Sequence, residues 1–230
     1  MALSAAKDRV QAGEAAALLR AILDALRREG TVALVQGMVA AEEPLAGEPF
    51  TQAGFLELAI LACMERPNNR AVPRVESRPG VELLPERAAG DLGALLRQTY
   101  EDTLDCPGLA DLRRDEDILE GHRRGGSYDP DLWTVLRVEG RDAGAALLNR
   151  LPLSGSVELT YLGLAKWARG KGLGTLLLDA ALVKAATVPE RVVSLAVDEH
   201  NTPAERLYRA RLFRTVARRK AFAIALKSST

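Results

Sequence analysis

The chain has 230 residues, 47% apolar and 27% charged, and its 31 basic and 31 acidic side chains cancel to a net charge of zero. That is the composition of a soluble globular protein with one good core and room for a second small unit. It excludes the basic field expected of a nucleic-acid binder, and no basic amphipathic helix suggests a membrane surface. The first residues carry charges at Lys7, Asp8 and Arg9, and no apolar run of about 18 residues follows. Neither a signal peptide nor a membrane span is expected. Cys63 and Cys106 lie far apart, without a Cys-x-x-Cys or histidine spacing, and there are two histidines in all. This reads as reduced thiols in a cytoplasmic protein, with no disulfide and no metal site.

In chain order, Ala15, Leu18, Leu19, Ile22, Leu23 and Leu26 form a helical stripe over 14–28, stopped by Glu29-Gly30. Residues 31–39 read as a buried strand, 49–55 as a short helix closing on a Gly-Phe turn, and 56–64 as a second strand. Residues 66–80, rich in Pro, Asn and Arg, have no apolar period and predict a linker. A boundary near residue 75 follows, with a smaller N-terminal α/β unit at 1–75 and a larger unit at 76–230. The larger unit opens with a short strand at 81–84 and helices at 88–101 and 111–124. Strands at 132–138, 143–151 and 156–164 form an antiparallel meander, its first two joined by a hairpin at 139–142. A helix at 172–186, a strand at 191–197, a helix at 202–211 and one or two strands over 212–226 complete it. The expected class is α+β, a mixed central sheet flanked by helices.

An ungapped shift of 158 residues places Leu18 and Leu19 on Leu176 and Leu177, Val35 and Val39 on Val193 and Val197, Phe50 on Tyr208 and Phe55 on Phe213. Residues 10–66 read as a degenerate copy of the later half, without its glycine loop. Shared helix and strand periods would align any such fragment, so both explanations stand at this point.

Two motifs carry chemistry. The strand at 156–164 runs into a Gly-rich turn, Arg169-Gly-Lys-Gly-Leu-Gly174, at the start of an apolar helix. Glycines let a ligand approach the backbone, first-turn N–H groups lack helical partners, and the helix dipole favours an anion. The turn is not a P-loop, because Ala165 stands where the first Gly belongs and Gly172 follows the Lys. It is not a dinucleotide fingerprint either, since Gly174 comes one residue early. The second motif is Asn201-Thr-Pro-Ala204-Glu-Arg-Leu207-Tyr208 followed by Phe213. Asn201 or Thr202 N-caps a helix with Pro203 in its first turn, and Ala204, Leu207 and Tyr208 share a face.

Arg169-x-x-Gly172-x-Gly174 closely resembles the signature of the GNAT acyltransferase superfamily, and the second motif resembles the same superfamily's Asn…Tyr pattern. About 150 residues, with their order of elements, are covered. Two departures are Lys166, where the family often has Pro, and Leu212, where it has Gly before the Phe, so that the last helix is expected to end differently. The resemblance implies a GNAT fold and acetyl-CoA as the acyl donor, with no metal. Main-chain groups around Leu162, Gly163 and Leu164 would pair with the pantetheine like an added strand. Backbone amides of Arg169, Gly170, Lys171, Gly172, Leu173, Gly174 and Thr175 would take the pyrophosphate, with positive charge from Arg169 and Lys171. Asn201 would meet the pantetheine arm.

The implied reaction is acetyl transfer to an amine, of a small molecule, peptide or protein, by direct attack in a ternary complex. Tyr208 is the candidate general acid beside the sulfur; otherwise it is a core aromatic. Glu158 is the candidate general base, because simple strand alternation groups it with Thr160, Leu162 and Leu164; a water chain is the other route. Cys63 and Cys106 lack the neighbours of an acyl-cysteine nucleophile, and His122 and His200 read as a solvated and a helix-start residue. Asp102, Asp105, Asp117 and Glu120 are candidates for attracting a cationic amine, with Tyr128 and Trp133 as an apolar wall. The partners expected are acetyl-CoA and an amine acceptor, with neither nucleic acid nor membrane; a homodimer is compatible with the composition. The alternative is a CoA-binding sensor or interaction protein without catalysis.

Overall fold

The computed structural model describes residues 12–69, 72–110, 112 and 115–226. The early charges at Lys7–Arg9, part of the linker (Arg70, Ala71) and residues 111, 113 and 114 of the charged helix lie outside these. The helices are α1 (Ala12–Glu29), α2 (Glu48–Gln52), α3 (Leu92–Tyr100), α4 (Pro107–Ala110), α5 (Asp115–Arg123), α6 (Leu173–Ala185) and α7 (Thr202–Ala210). The strands are β1 (Leu34–Ala40), β2 (Leu56–Pro67), β3 (Val81–Pro85), β4 (Thr134–Val138), β5 (Arg141–Leu151), β6 (Ser156–Leu164), β7 (Val192–Asp198) and β8 (Arg214–Ala225). The fold is mixed α+β. No described helix is long and apolar enough to cross a membrane.

The chain forms two compact units. Of the described residues, the first contains 12–62, 106–110, 112 and 217–226, and the second contains 63–69, 72–105 and 115–216. In the first, strands run β1-β8-β2, and β1 pairs antiparallel with β8 from Leu34↔Ala225 to Ala40↔Arg219. Its core is Leu23 of α1 with Ala53, Phe55 and Phe222, flanked by Phe50, Val35 and Ile224. Phe50 stacks on Phe222 at 5.1 Å. Gly37 makes room for that ring, since a Cβ there would lie 2.2 Å from Phe50.

In the second unit the end of β2 is followed by β7-β6-β5-β4-β3. The β3–β4–β5–β6 ladders are antiparallel, and β6–β7 is parallel. Helix α6 packs on β4, β5 and β6; α3 packs on β5 and β6 and against α5. The burial of Leu173, Leu176, Leu177, Leu178, Ala180, Ala181 and Leu182 makes α6 apolar on most sides. The predicted linker starts later than expected, because Arg66 and Pro67 finish β2. Asn68 is also held: its N–H donates to Arg191 O (2.8 Å), and its side-chain amide donates to Ala185 O (2.6 Å) and Glu190 O (2.8 Å). It thereby satisfies a carbonyl at the C-terminus of α6.

The internal repeat is visible in the elements. Shifting β1 by 158 residues gives the bounds of β7, Val192–Asp198, and shifting β2 gives those of β8, Arg214–Ala225. Both copies close their short helix in the same way. Phe55 N–H donates to Phe50 O at 3.0 Å, and Phe213 N–H to Tyr208 O at 3.1 Å. The two ring pairs are both edge-on, at 5.2 Å and 5.8 Å. The residue before each Phe is left-handed, Gly54 at φ 91° and Leu212 at φ 66°. The helix therefore does not end differently for lack of a glycine; Leu212 adopts the glycine conformation, at a steric cost to its Cβ. Leu212 is 52% exposed, so little packing opposes its replacement. Leu212→Gly is expected to stabilise the protein by about 1 kcal/mol, a rise of about 2–4 °C in the thermal midpoint, read by calorimetry.

Candidate active site

Strand β6 is paired on one side along its length and open on the other for much of it. Its parallel register with β7 covers Ser156↔Val192, Val157↔Val193 and Glu158↔Ser194, whereas β6 runs on to Leu164 and β7 to Asp198. On the β5 side Leu147 pairs with Tyr161 but Leu148 with Leu159, leaving Thr160 as an extra residue. Such a bulge bends its strand and ends regular pairing. Ala165 N–H donates to Ala143 O (2.8 Å), whereas Leu164 O accepts from the Arg169 side chain (3.0 Å). Along a strand, alternate residues aim their backbone groups to opposite edges. Leu162 and Leu164 therefore face the edge away from β5, as a strand-like ligand requires, and Gly163 faces β5.

The bulge corrects the alternation expected for Glu158. Glu158 pairs with Asn149 and Tyr161 with Leu147, and Asn149 and Leu147 share a face. Glu158 thus lies on the side of Tyr161, not with Leu162 and Leu164. The contacts agree. Tyr161 bonds Thr99 of α3 at 2.5 Å and packs on Tyr100 and His122, each 5.2 Å away. Leu164 lies towards α6, where a Cβ on Gly174 would be 3.8 Å from it. Gly163 has a different use from ligand contact: Tyr161 crosses it, and a Cβ there would meet the Tyr161 hydroxyl at 2.2 Å. Glu158 is half-buried, with no hydrogen bond or ion pair to its carboxylate among the described residues. Burial alone pushes its pKa above the usual glutamate value.

The glycine turn connects β6, through one 3-10 turn at Lys166–Ala168, to α6. Gly170 and Gly172 have φ of 75° and 71°, where side chains are disfavoured. Gly172 is the N-cap and supplies no side-chain acceptor, so the first-turn N–H groups of Leu173, Gly174 and Thr175 lack a cap. Arg169 departs from its expected place. Its guanidinium donates to Leu164 O (3.0 Å), Thr99 O (2.9 Å), Glu101 O (2.7 Å) and Asp102 O (3.1 Å). Its own N–H donates to Lys166 O (3.2 Å). A cation near the last carbonyls of α3 is favourable there, so Arg169 ties the turn to the end of α3 with its side-chain N–H groups committed to neutral carbonyls. Lys171 has no ion pair or side-chain hydrogen bond among the described residues, and its Nζ lies over the Trp167 ring, 5.7 Å from its centre.

Asn201 is the N-cap of α7: its side-chain oxygen accepts from Ala204 N–H at 3.3 Å. Its amide NH₂ has no acceptor among the described residues. Tyr208 is 7% exposed, edge-on to Phe213, and its hydroxyl has no hydrogen bond among the described residues. Burial, then the negative charge of Asp105, raise its pKa well above the usual phenol value. The hydroxyl is therefore protonated at any working pH. Next to it in α7, Leu207 lies against the glycine turn, 3.6 Å from where a Gly174 Cβ would be.

The acceptor candidates fare differently. Asp102 pairs with Lys166 at 2.6 Å, and Glu120 with Arg124 at 2.8 Å. Asp105 accepts from Asp198 N–H at 2.9 Å, at the end of β7. Trp133 is no cleft wall: it is fully buried, its Nε1 donating to Leu148 O and Asn149 Oδ1 at 3.1 and 3.2 Å. His122 is not simply solvated, since its Nε2 bonds the Tyr100 hydroxyl at 2.9 Å. His200 lies at the start of α7 beside Asp198, as expected. Cys63 and Cys106 are not joined in a disulfide. The sequence reading passed over Arg78, whose Nη1 donates to Lys171 O at 3.0 Å.

The model of the Acetyltransferase (GNAT) family matches residues 96–212, just over half of the chain. The chain belongs to the GNAT acetyltransferase family. No curated protein matches it. A GCN5-related N-acetyltransferase from Sphaerobacter thermophilus is similar at 21% identity and a TM-score of 0.58, over 86% of this chain and 61% of its own. A putative GNAT acetyltransferase from Novosphingobium aromaticivorans is similar at 21% identity and a TM-score of 0.58, over 94% and 82%. A tandem GNAT protein from the clavulanic acid biosynthesis pathway covers 98% of this chain and 73% of its own, at 16% identity and a TM-score of 0.58. At these identities the likeness carries the GNAT fold. This chain spans less than two thirds of the Sphaerobacter protein.

Proposed function

We propose that this GNAT protein is an N-acetyltransferase that takes the acetyl group of acetyl-CoA and delivers it to an amine by direct attack. The observation that supports this most is the open edge of β6 at Leu162 and Leu164, leading to the uncapped start of α6. An extended pantetheine can pair with that edge, and the diphosphate can take the N–H groups from Gly170 to Thr175. The Asn201 amide is free to meet the pantetheine arm. In the reaction the amine nitrogen forms the C–N bond as the C–S bond breaks. Glu158 lies on the Tyr161 face of β6 where pairing with β7 ends, with no partner for its carboxylate among the described residues. It takes the proton from the amine, directly or through water, and Tyr208 gives its proton to the leaving thiolate. No metal takes part in this scheme.

The test is calorimetric titration with acetyl-CoA, followed by free-thiol release across a panel of amines. Saturable binding with thiol release for one class of amine supports the enzyme and identifies its acceptor. Tight binding without release for any amine would make the protein a CoA-binding sensor. No binding would overturn the donor reading.

The N-terminal copy has Phe50 at the place of Tyr208 and no glycine turn, so we assign residues 1–75 a structural or cleft-shaping part. Removing them takes Leu23, Phe50, Ala53 and Phe55 away from Phe222. A 76–230 fragment is expected to unfold at a lower temperature and to acetylate less than the full chain. Equal activity and melting point would refute this.

A further inference from the structure

Arg78 lies 93 residues before the carbonyl it bonds and outside both sequence motifs. Its backbone is fixed at the start of β3, where Val81 N–H donates to Arg78 O at 3.1 Å. Its guanidinium covers the N-cap of α6: a Cβ on Gly172 would lie 3.3 Å from Nη1 and 3.5 Å from Nη2. Among the described residues its ion pair is with Glu76, 4.0 Å long and solvent-exposed, and so of little energetic weight. The other cations of the turn are occupied differently. Arg169 is bound to four carbonyls and Lys166 to Asp102. Of the five N–H donors of a guanidinium, Arg78 commits one to Lys171 O among the described residues.

We propose that Arg78 is a phosphate-binding residue of the donor site, supplied from outside the glycine-loop motif, and that it contacts the diphosphate end of acyl-CoA over Gly172. The inference rests on the acetyl-CoA reading above. Arg78 and Lys171 then flank the uncapped helix start with two positive charges. The Lys171 carbonyl holds the guanidinium in place before the donor arrives, so little ordering is needed on binding.

The experiment measures the affinity of the full-length protein for acetyl-CoA and for S-acetyl-pantetheine, which lacks every phosphate, by calorimetry and ligand-observed NMR. It uses wild type, Arg78→Gln and Arg78→Lys. Arg78→Gln is expected to weaken acetyl-CoA about 10-fold or more, the scale of a lost charge-assisted hydrogen bond, and to leave acetyl-pantetheine within about twofold. Arg78→Lys should recover part of the loss. Equal losses for both donors would make Arg78 a support of the turn and overturn the inference. Unchanged acetyl-CoA affinity in Arg78→Gln, with wild type binding normally, would overturn it alone. Failure of wild type to bind acetyl-CoA would overturn the donor reading and this inference together.

Discussion

Tyr208→Phe is expected to lower kcat by about 10²- to 10³-fold, the usual worth of a positioned general acid, with little change in acetyl-CoA affinity. The structure makes this substitution unusually clean. The ring supports the end of α7 through its edge-on contact with Phe213, and phenylalanine preserves that contact. The hydroxyl has no hydrogen-bond partner among the described residues, so no folded-state bond is lost. The first copy of the repeat makes the same point with a natural residue: Phe50 closes the equivalent turn on Phe55 without a hydroxyl. A ring is enough for the fold, which leaves the oxygen at Tyr208 for chemistry. The hydroxyl is not one of the fully buried side-chain atoms left without a partner, so Tyr208→Phe neither breaks a bond nor relieves an unpaired buried group and should melt close to the wild-type temperature. Steady-state kinetics with acetyl-CoA titration separate the outcomes. An unchanged kcat would make Tyr208 a core aromatic, and a loss of donor affinity matching the loss of kcat would make it a binding residue.

The elements were legible because their signals are local. The apolar stripe of α6, the glycines before it and the Asn-x-Pro start of α7 each lie within a few residues. The 158-residue shift was legible for the same reason, since β1 and β7 share their apolar positions. The parts that were not legible depend on pairing or on distance along the chain. Nothing in the sequence of β6 marks Thr160 as a bulge: it has no glycine or proline beside it, and the extra residue exists only relative to β5. Strict alternation therefore put Glu158 on the wrong face. Arg169 reads as a loop cation because three of its four acceptors are carbonyls at and just past the end of α3, 67 to 70 residues away. Carbonyls leave no mark in a sequence. Trp133 looked like a wall because its hydrogen bonds to β5 are equally invisible there. Arg78 stood in a stretch without apolar period, where a cation is unremarkable.

Glu158→Gln carries the second large effect, about 10²-fold in kcat/KM near pH 8, and its value lies in how that effect changes with pH. Burial raises the carboxyl pKa, and no cation among the described residues opposes it. As a base Glu158 must be ionised, so wild-type kcat/KM should fall on the acid side with a limb above the ordinary carboxylate range. In Glu158→Gln that limb should disappear, leaving a low and flat acid side. Stability moves in the opposite sense to activity. With a raised native pKa, the folded state binds more protons than the unfolded state between the ordinary and the raised value. Wild-type stability therefore falls as pH rises through that window and stays lower above it, because the charge must remain half-buried. Gln has no such charge, so the variant should be more stable than wild type at pH 8 and should lose this advantage below the ordinary glutamate range. Parallel pH profiles of activity and of the thermal midpoint check both signs. If the acid limb persists in Glu158→Gln, the proton goes to another group through water and Glu158 is not the base. If the limb vanishes but the stability advantage is absent, the carboxylate is better solvated than its half-buried place on β6 implies.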